Sequence, residues 1–145
     1  MKKRIVWLLL ALLWMGFIWS NSLQTAEVSS QSSGRVEEIV EPVLTELGVP
    51  QEEHSFVVRK TAHLTEFALL GVLWLLFFRR PNWLLPCAWA LGLCAATAVT
   101  DELIQHFVSG RSCELRDMTI DTLGAAVGIS LLTVLQLLLC KRRKN

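Results

Sequence analysis

Four long stretches of the chain are dominated by apolar residues: Ile5 to about Ser22, Thr61 to Phe78, Trp83 to Thr100 and Met118 to Cys140. Each runs about 18 residues or more, which at roughly 1.5 Å per residue approaches the helix length needed to cross a hydrocarbon core of about 30 Å. Trp7, Trp19 and Trp83 stand near their ends, where an amphipathic ring settles at the headgroup level. A soluble four-helix bundle would need a polar face on each helix, and Leu8–Phe17 and Ser130–Leu139 offer none. The pattern predicts an all-α fold, a four-helix transmembrane bundle forming a single domain over residues 1–145. Composition points the same way: 52% of the 145 residues are hydrophobic and the mean hydropathy is +0.44.

Between the first two spans the pattern changes. Ser20 to Gly34 is rich in Ser, Asn, Gln and Thr and reads as irregular chain. After Gly34, the positions Val36, Ile39, Val40, Val43, Leu44 and Leu47 fall on one helical face, closed by Gly48. This predicts a short amphipathic helix that lies along the interface or caps the bundle, bent or split at Pro42. No internal repeat is visible.

The net charge of +1 conceals how the charges are placed. Nine of the 14 basic residues (Lys2, Lys3, Arg4, Arg79, Arg80, Lys141, Arg142, Arg143, Lys144) fall on one side of the spans, and Arg35, Arg59, Lys60, Arg111 and Arg116 on the other. All 13 acidic residues belong to that second side. Because cytoplasmic loops concentrate Lys and Arg, both termini and the Arg79–Asn82 turn are expected in the cytoplasm. The Thr25–Arg59 and Asp101–Asp117 segments then face outward from a bacterial plasma membrane. A cleaved signal peptide is the rival reading of the first span, but no A-x-A-like site follows its Trp-rich run, and the sidedness downstream would not change.

Chemistry-bearing residues gather at the expected outer mouth. On the second span Lys60, His63 and Glu66 follow at i, i+3 and i+6, a slanting stripe descending about 9 Å. On the third, Asp101 and Gln105 lie four apart, as do Glu102 and His106, with Cys94 and Thr97 continuing the Asp101 stripe inward. On the fourth, Asp117, Asp121, Gly124 and Gly128 share one face, and the G-x-x-x-G spacing admits a closely packed helix. Charges at such depth need partners or water. Lys60, His63, Glu66, Asp101, Gln105, Arg111, Asp117 and Asp121 are therefore expected to line one cavity opening outward.

Two readings of these residues stand side by side. One is a structural ion-pair network that fixes helix register. The other is a polar pocket for a charged ligand, in which Arg59, Lys60, Arg111 and Arg116 meet an anionic headgroup. A metal site built from His63, Glu66, Asp101 and Asp121 is chemically possible, but H-x-x-E is a weak signal, and no metal or cofactor is expected. His54 and His106 read as surface or interfacial residues. Ser109 and Ser112 lie in a loop without the elbow that activates a nucleophile. Three of the four cysteines, Cys87, Cys94 and Cys140, sit within or at the end of apolar spans, so with Cys113 they form neither a disulfide framework nor a paired-cysteine zinc site. The basic tails flank membrane spans, which explains them without a nucleic-acid partner.

The motifs R-K-x-x-H-x-x-E-F (from Arg59), D-E-x-x-Q-x-F-x-x-x-R (from Asp101) and D-x-x-x-D-x-x-G-x-x-x-G (from Asp117), in this order on four spans, resemble the VanZ-like family of bacterial membrane proteins. The resemblance covers about Ser20 to Leu132, with the acidic Glu37–Glu53 stretch as a departure. That family is named for a protein conferring low-level resistance to teicoplanin, a lipid-tailed glycopeptide that binds cell-wall precursors outside the membrane. The resemblance implies a task at the outer leaflet, agreeing with the charge placement, and supplies no reaction.

The function expected is engagement of membrane lipids, specifically a lipid-linked cell-wall precursor or a lipoglycopeptide, by the outer polar pocket. An intramembrane enzyme acting on such a lipid is the second reading, with His63 as acid or base, Glu66 or Asp101 as its partner and Arg111 on a phosphate. A small permease or an assembly subunit is the third.

Overall fold

The four apolar stretches fold as helices, each extending beyond its apolar run. A computed structural model describes residues 2–79, 82–111 and 113–142. In chain order they form α1 (Lys2–Ser22), α2 (Ala26–Glu46), a single 3-10 turn (Gln51–Glu53), α3 (His54–Phe78), α4 (Leu84–His106) and α5 (Leu115–Arg142). Of these, α1, α3 with its preceding turn, α4 and α5 are long and apolar enough to cross a membrane. Their outward faces carry exposed leucines such as Leu9, Leu13, Leu131 and Leu138, as lipid contact requires. The chain is a multi-pass membrane protein.

The tightest seam joins α3 and α5, which run parallel. Lipid tails are as apolar as leucine, so helices in a bilayer associate through close packing rather than water exclusion. Gly124 sits against the backbone of Leu64 and Gly128 against that of Ala68; a methyl group added at either would overlap the facing carbonyl oxygen. Gly71 of α3 returns the contact, 2.8 Å separating its would-be Cβ from the Ala125 carbonyl oxygen. Phe67, Leu70, Cys94, Ala98 and Ala125 fill the core between α3, α4 and α5, and Ala11 and Ile18 bring α1 onto it. Two further bonds hold α1 to α3: Trp14 Nε1 donates to the Glu66 carbonyl at 2.9 Å, and Arg4 Nε donates to the Phe77 carbonyl at 3.2 Å.

The polar stretch after α1 corrects the sequence reading. Ser20 to Gly34 is not irregular: α1 continues to Ser22, and α2 begins at Ala26. Thr25 caps α2 in an extended conformation with its hydroxyl toward Val28 N, and Glu27 places a negative charge in the first turn. The Ala26 amide also faces the Ser109 carbonyl at 3.4 Å, so this helix start rests on the α4–α5 connection, a tertiary contact that propensity does not register. Nor does Pro42 split α2. The carbonyl it leaves without an amide partner belongs to Glu38, which is exposed and can be served by water. Gly48, at φ 75°, ends the segment as anticipated, with Val49 N returning to the Leu44 carbonyl at 3.0 Å and Gly48 N to that of Thr45.

Candidate functional site

The C-terminal ends of α1 and α4 and the N-terminal ends of α3 and α5 meet at one end of the bundle, and α2 packs across α3 there. The four ends and α2 line an open cavity of about 1050 Å³. One wall is polar, formed by Asn21, Arg59, Lys60, His63, Glu66, Gln105, Arg111, Glu114 and Asp117. The lining also includes Val36, Val40, Val43 and Leu44 of α2, which contributes Ser29, Ser32 and Ser33 as well, and Trp14, Phe17, Phe56 and Leu69 of α1 and α3. The cavity is thus amphipathic by construction: helix ends supply charge, and the periodicity of α2 supplies grease.

Of the eight residues expected to line this space, Lys60, His63, Glu66, Gln105, Arg111 and Asp117 do so. Asp101 and Asp121 stand behind the wall, 0% and 1% exposed. Glu102 is likewise fully buried and does not reach the cavity; its Oε2 accepts from Glu114 N at 2.8 Å, immediately before α5, where a helix start needs an acceptor. Arg116 does not line the cavity; its guanidinium lies over the ring of Phe56, a wall residue, 5.2 Å from the ring centroid.

The polar residues pair across helices. Lys60 Nζ forms an ion pair with Asp117 Oδ1. One turn further along the same seam, His63 Nδ1 lies 3.5 Å from Asp121 Oδ1. Glu66 turns toward α1, where Asn21 Nδ2 donates to its Oε1 at 3.1 Å. On α4, Gln105 Nε2 donates to Asp101 Oδ2 at 2.9 Å and to Ser22 Oγ at 3.3 Å. Two cations stand apart from this pairing. Arg59 and Arg111 both line the cavity, and neither forms a salt bridge among the described residues. Burial first, and then the charge of Arg59, pull the Arg111 guanidinium below its ordinary value. The carboxylates of Asp101 and Glu102 act on Arg111 in the opposite sense, at a distance rather than through a salt bridge.

Sequence reasoning missed Asn21, Ser22 and Trp14, the contributions of α1. The signal available was their placement: two polar side chains closing an apolar run on the side where all the acidic residues fall. His54 is also corrected. Rather than a surface residue it is 1% exposed, its Nε2 lying 2.9 Å from the Val49 carbonyl, because the 3-10 turn folds the chain back over the first residue of α3. His106 is exposed as expected. Ser109 is exposed in the α4–α5 connection, and Ser112 lies outside the described residues. All four cysteines are free thiols.

One group has the composition of a cation site: His63, Asp101 and Asp121 each offer a donor atom, and these lie within 4.8 Å of one another. The structure brings together three of the four residues that the sequence marks as chemically able to ligate, with Glu66 left to Asn21.

Comparison with curated proteins and with solved structures gives no match. The family model VanZ/LLP1 matches residues 7–136, a stretch that begins in α1, ends in α5 and contains every residue of the cavity wall. The chain therefore belongs to the VanZ/LLP1 family.

Proposed function

We propose that this chain binds an amphiphile with an anionic headgroup at the outer face of a bacterial plasma membrane, and that the occupant is a lipid-anchored envelope component. The observation that carries the reading is that Arg59 and Arg111, neither in a salt bridge among the described residues, share one cavity with apolar side chains of α2. A phosphate or carboxylate between the guanidiniums relieves their mutual repulsion and accepts their forked donors, while acyl chain lies along Val36, Val40 and Leu44. The volume of about 1050 Å³ accommodates a headgroup and the first part of a chain. Withdrawing such a component from the surface would lower the action of a glycopeptide that targets the same layer, which links the reading to glycopeptide resistance of the teicoplanin type.

The test is lipid extraction from the purified chain followed by mass spectrometry. An anionic lipid enriched over the host membrane supports the reading, provided Arg59→Gln/Arg111→Gln loses it at equal protein level. A bulk-membrane lipid profile, unchanged in that variant, contradicts it.

A second reading has its own observation. His63 lines the cavity while its Nδ1 faces the buried Asp121, the arrangement of a base and the group that orients it. An intramembrane enzyme acting on the bound lipid would use this pair. His63→Gln then abolishes turnover while the lipid is still retained; loss of retention alone belongs to binding.

A further inference from the structure

We propose that His63, Asp101 and Asp121 form a binding site for a divalent first-row transition ion, of the zinc or manganese class. Each of three helices supplies one donor: α3 the imidazole, α4 and α5 a carboxylate each. The sequence expectation was for no metal, because H-x-x-E spacing on one helix is a weak signal. It is the convergence of three helices, not that spacing, that builds the site.

Four observations carry it. The donor atoms of the three residues fall within 4.8 Å of one another, a span that one ion with bonds of about 2.0–2.2 Å closes by small movements. His63 Nδ1 and Asp121 Oδ1 are 3.5 Å apart, long for a hydrogen bond but close to the ligand–ligand separation of about 3.4 Å in a tetrahedral sphere at such bond lengths. Asp101 and Asp121 are both at most 1% exposed, and each carries one oxygen, Asp101 Oδ1 and Asp121 Oδ2, without a hydrogen-bond partner. Lastly, Lys60, one turn from His63 on α3, is committed to Asp117, and neither aspartate forms a salt bridge with a lysine or arginine among the described residues. Two buried carboxylates facing one imidazole leave a negative site in an apolar bundle, where each unpaired ion costs several kcal/mol. A divalent ion removes that deficit.

The donor set selects the class of ion. One imidazole with two carboxylates suits Zn²⁺ or Mn²⁺; calcium would require more oxygen donors, and thiophilic ions a sulfur ligand. The second-row support is partly present: Gln105 holds Asp101 Oδ2, and Ser22 braces Gln105 in turn. Because His63 lines the cavity while the two aspartates stand behind it, the ion has protein on its buried side and the cavity on its other. Three protein ligands leave a position for water or for a ligand oxygen, as in zinc sites with an open coordination place. The site rests on its own three donors and holds whether or not the cavity receives a lipid.

The experiment uses the full chain without an affinity tag, purified in detergent with no chelator. Elemental analysis should find about one zinc or manganese per chain. After removal with EDTA, calorimetric titration with ZnCl₂ and with MnCl₂ should give a saturable isotherm of unit stoichiometry for at least one of them, and the added ion should raise the melting temperature. Asp121→Asn and His63→Gln should each weaken that binding by more than about tenfold, with Glu27→Gln on exposed α2 binding as the parent does. Absence of retained metal together with flat titrations for both ions overturns the site and assigns the aspartates a shared proton instead. Binding that persists unchanged in His63→Gln overturns it too, as attachment to other exposed groups. If Asp121→Asn fails to fold, the parent's stoichiometry and metal-dependent melting still decide.

Discussion

His63 Nδ1 lies 3.5 Å from Asp121 Oδ1, and this contact is one rung of a ladder down a single helix seam. Lys60 meets Asp117 one turn nearer the polar end, and the backbones of Leu64 and Ala68 receive Gly124 and Gly128 on the other side. The polar contacts and the close packing thus share one face of α5. A shift of α5 along α3 cannot disturb one without the other, so helix packing sets the geometry of the candidate site.

The glycines test that seam. A Cβ at position 128 would meet the Ala68 carbonyl carbon at 2.7 Å and its Cα at 2.9 Å, backbone atoms that cannot rotate away. Gly128→Ala should destabilise by about 1–3 kcal/mol, as overpacking does, and Gly128→Leu by more. Gly92, on α4 with nothing within 4 Å of its would-be Cβ, is the control. Gly92→Ala should be neutral or stabilise by up to about 1 kcal/mol through backbone entropy. Thermal melting in detergent reads both; a neutral Gly128→Ala would mean that α3 and α5 do not pack in this register.

The first helix carries a prediction of its own. Asn21 Nδ2 donates to Glu66 Oε1 at 3.1 Å across the α1–α3 contact. In a double-mutant cycle, Asn21→Ala and Glu66→Ala should show a coupling of about 1 kcal/mol in melting stability. Strict additivity would show that this bond does not bind α1 to the site.

Much of this was readable from residues alone, and what was not has physical causes. Span lengths follow from composition, and the shared face of Asp117, Asp121, Gly124 and Gly128 follows from 3.6-residue periodicity. The start of α2 was not legible, because Ser29 to Ser33 have weak intrinsic preference and the helix there leans on Ser109 and Gly110 across the fold. Periodicity places a side chain on a helix face but does not say how deeply that face is buried. Asp101 and Asp121 were therefore expected on the cavity wall and are found behind it. Asn21 and Ser22 drew no attention at the end of an apolar run, although they hold Glu66 and Gln105.

Sidedness is tested by thiol labelling. Cys113 is exposed in the α4–α5 connection, at the end of the bundle that carries the acidic residues. In intact cells an impermeant maleimide should label it, and should label Ser109→Cys in a Cys113→Ser background. Asn82→Cys in that background, beside the start of α4, should react only after the membrane is permeabilised. Labelling of Asn82→Cys from outside would invert the topology and place the cavity in the cytoplasmic leaflet.

The ligand reading is tested most directly by a headgroup comparison on the purified chain. A short-chain phosphatidylglycerol and a phosphatidylcholine of the same chain length are titrated below their micellar concentrations, by calorimetry, into the parent and into Arg59→Gln/Arg111→Gln. Two charge-assisted contacts worth about 1.5–3 kcal/mol each predict saturable one-to-one binding of the anionic lipid, at least about tenfold tighter than the zwitterionic one. That preference should vanish in the double variant, with the residual apolar binding to the α2 wall retained. Equal affinity for the two headgroups in the parent, or a preference that survives loss of both arginines, would contradict the account.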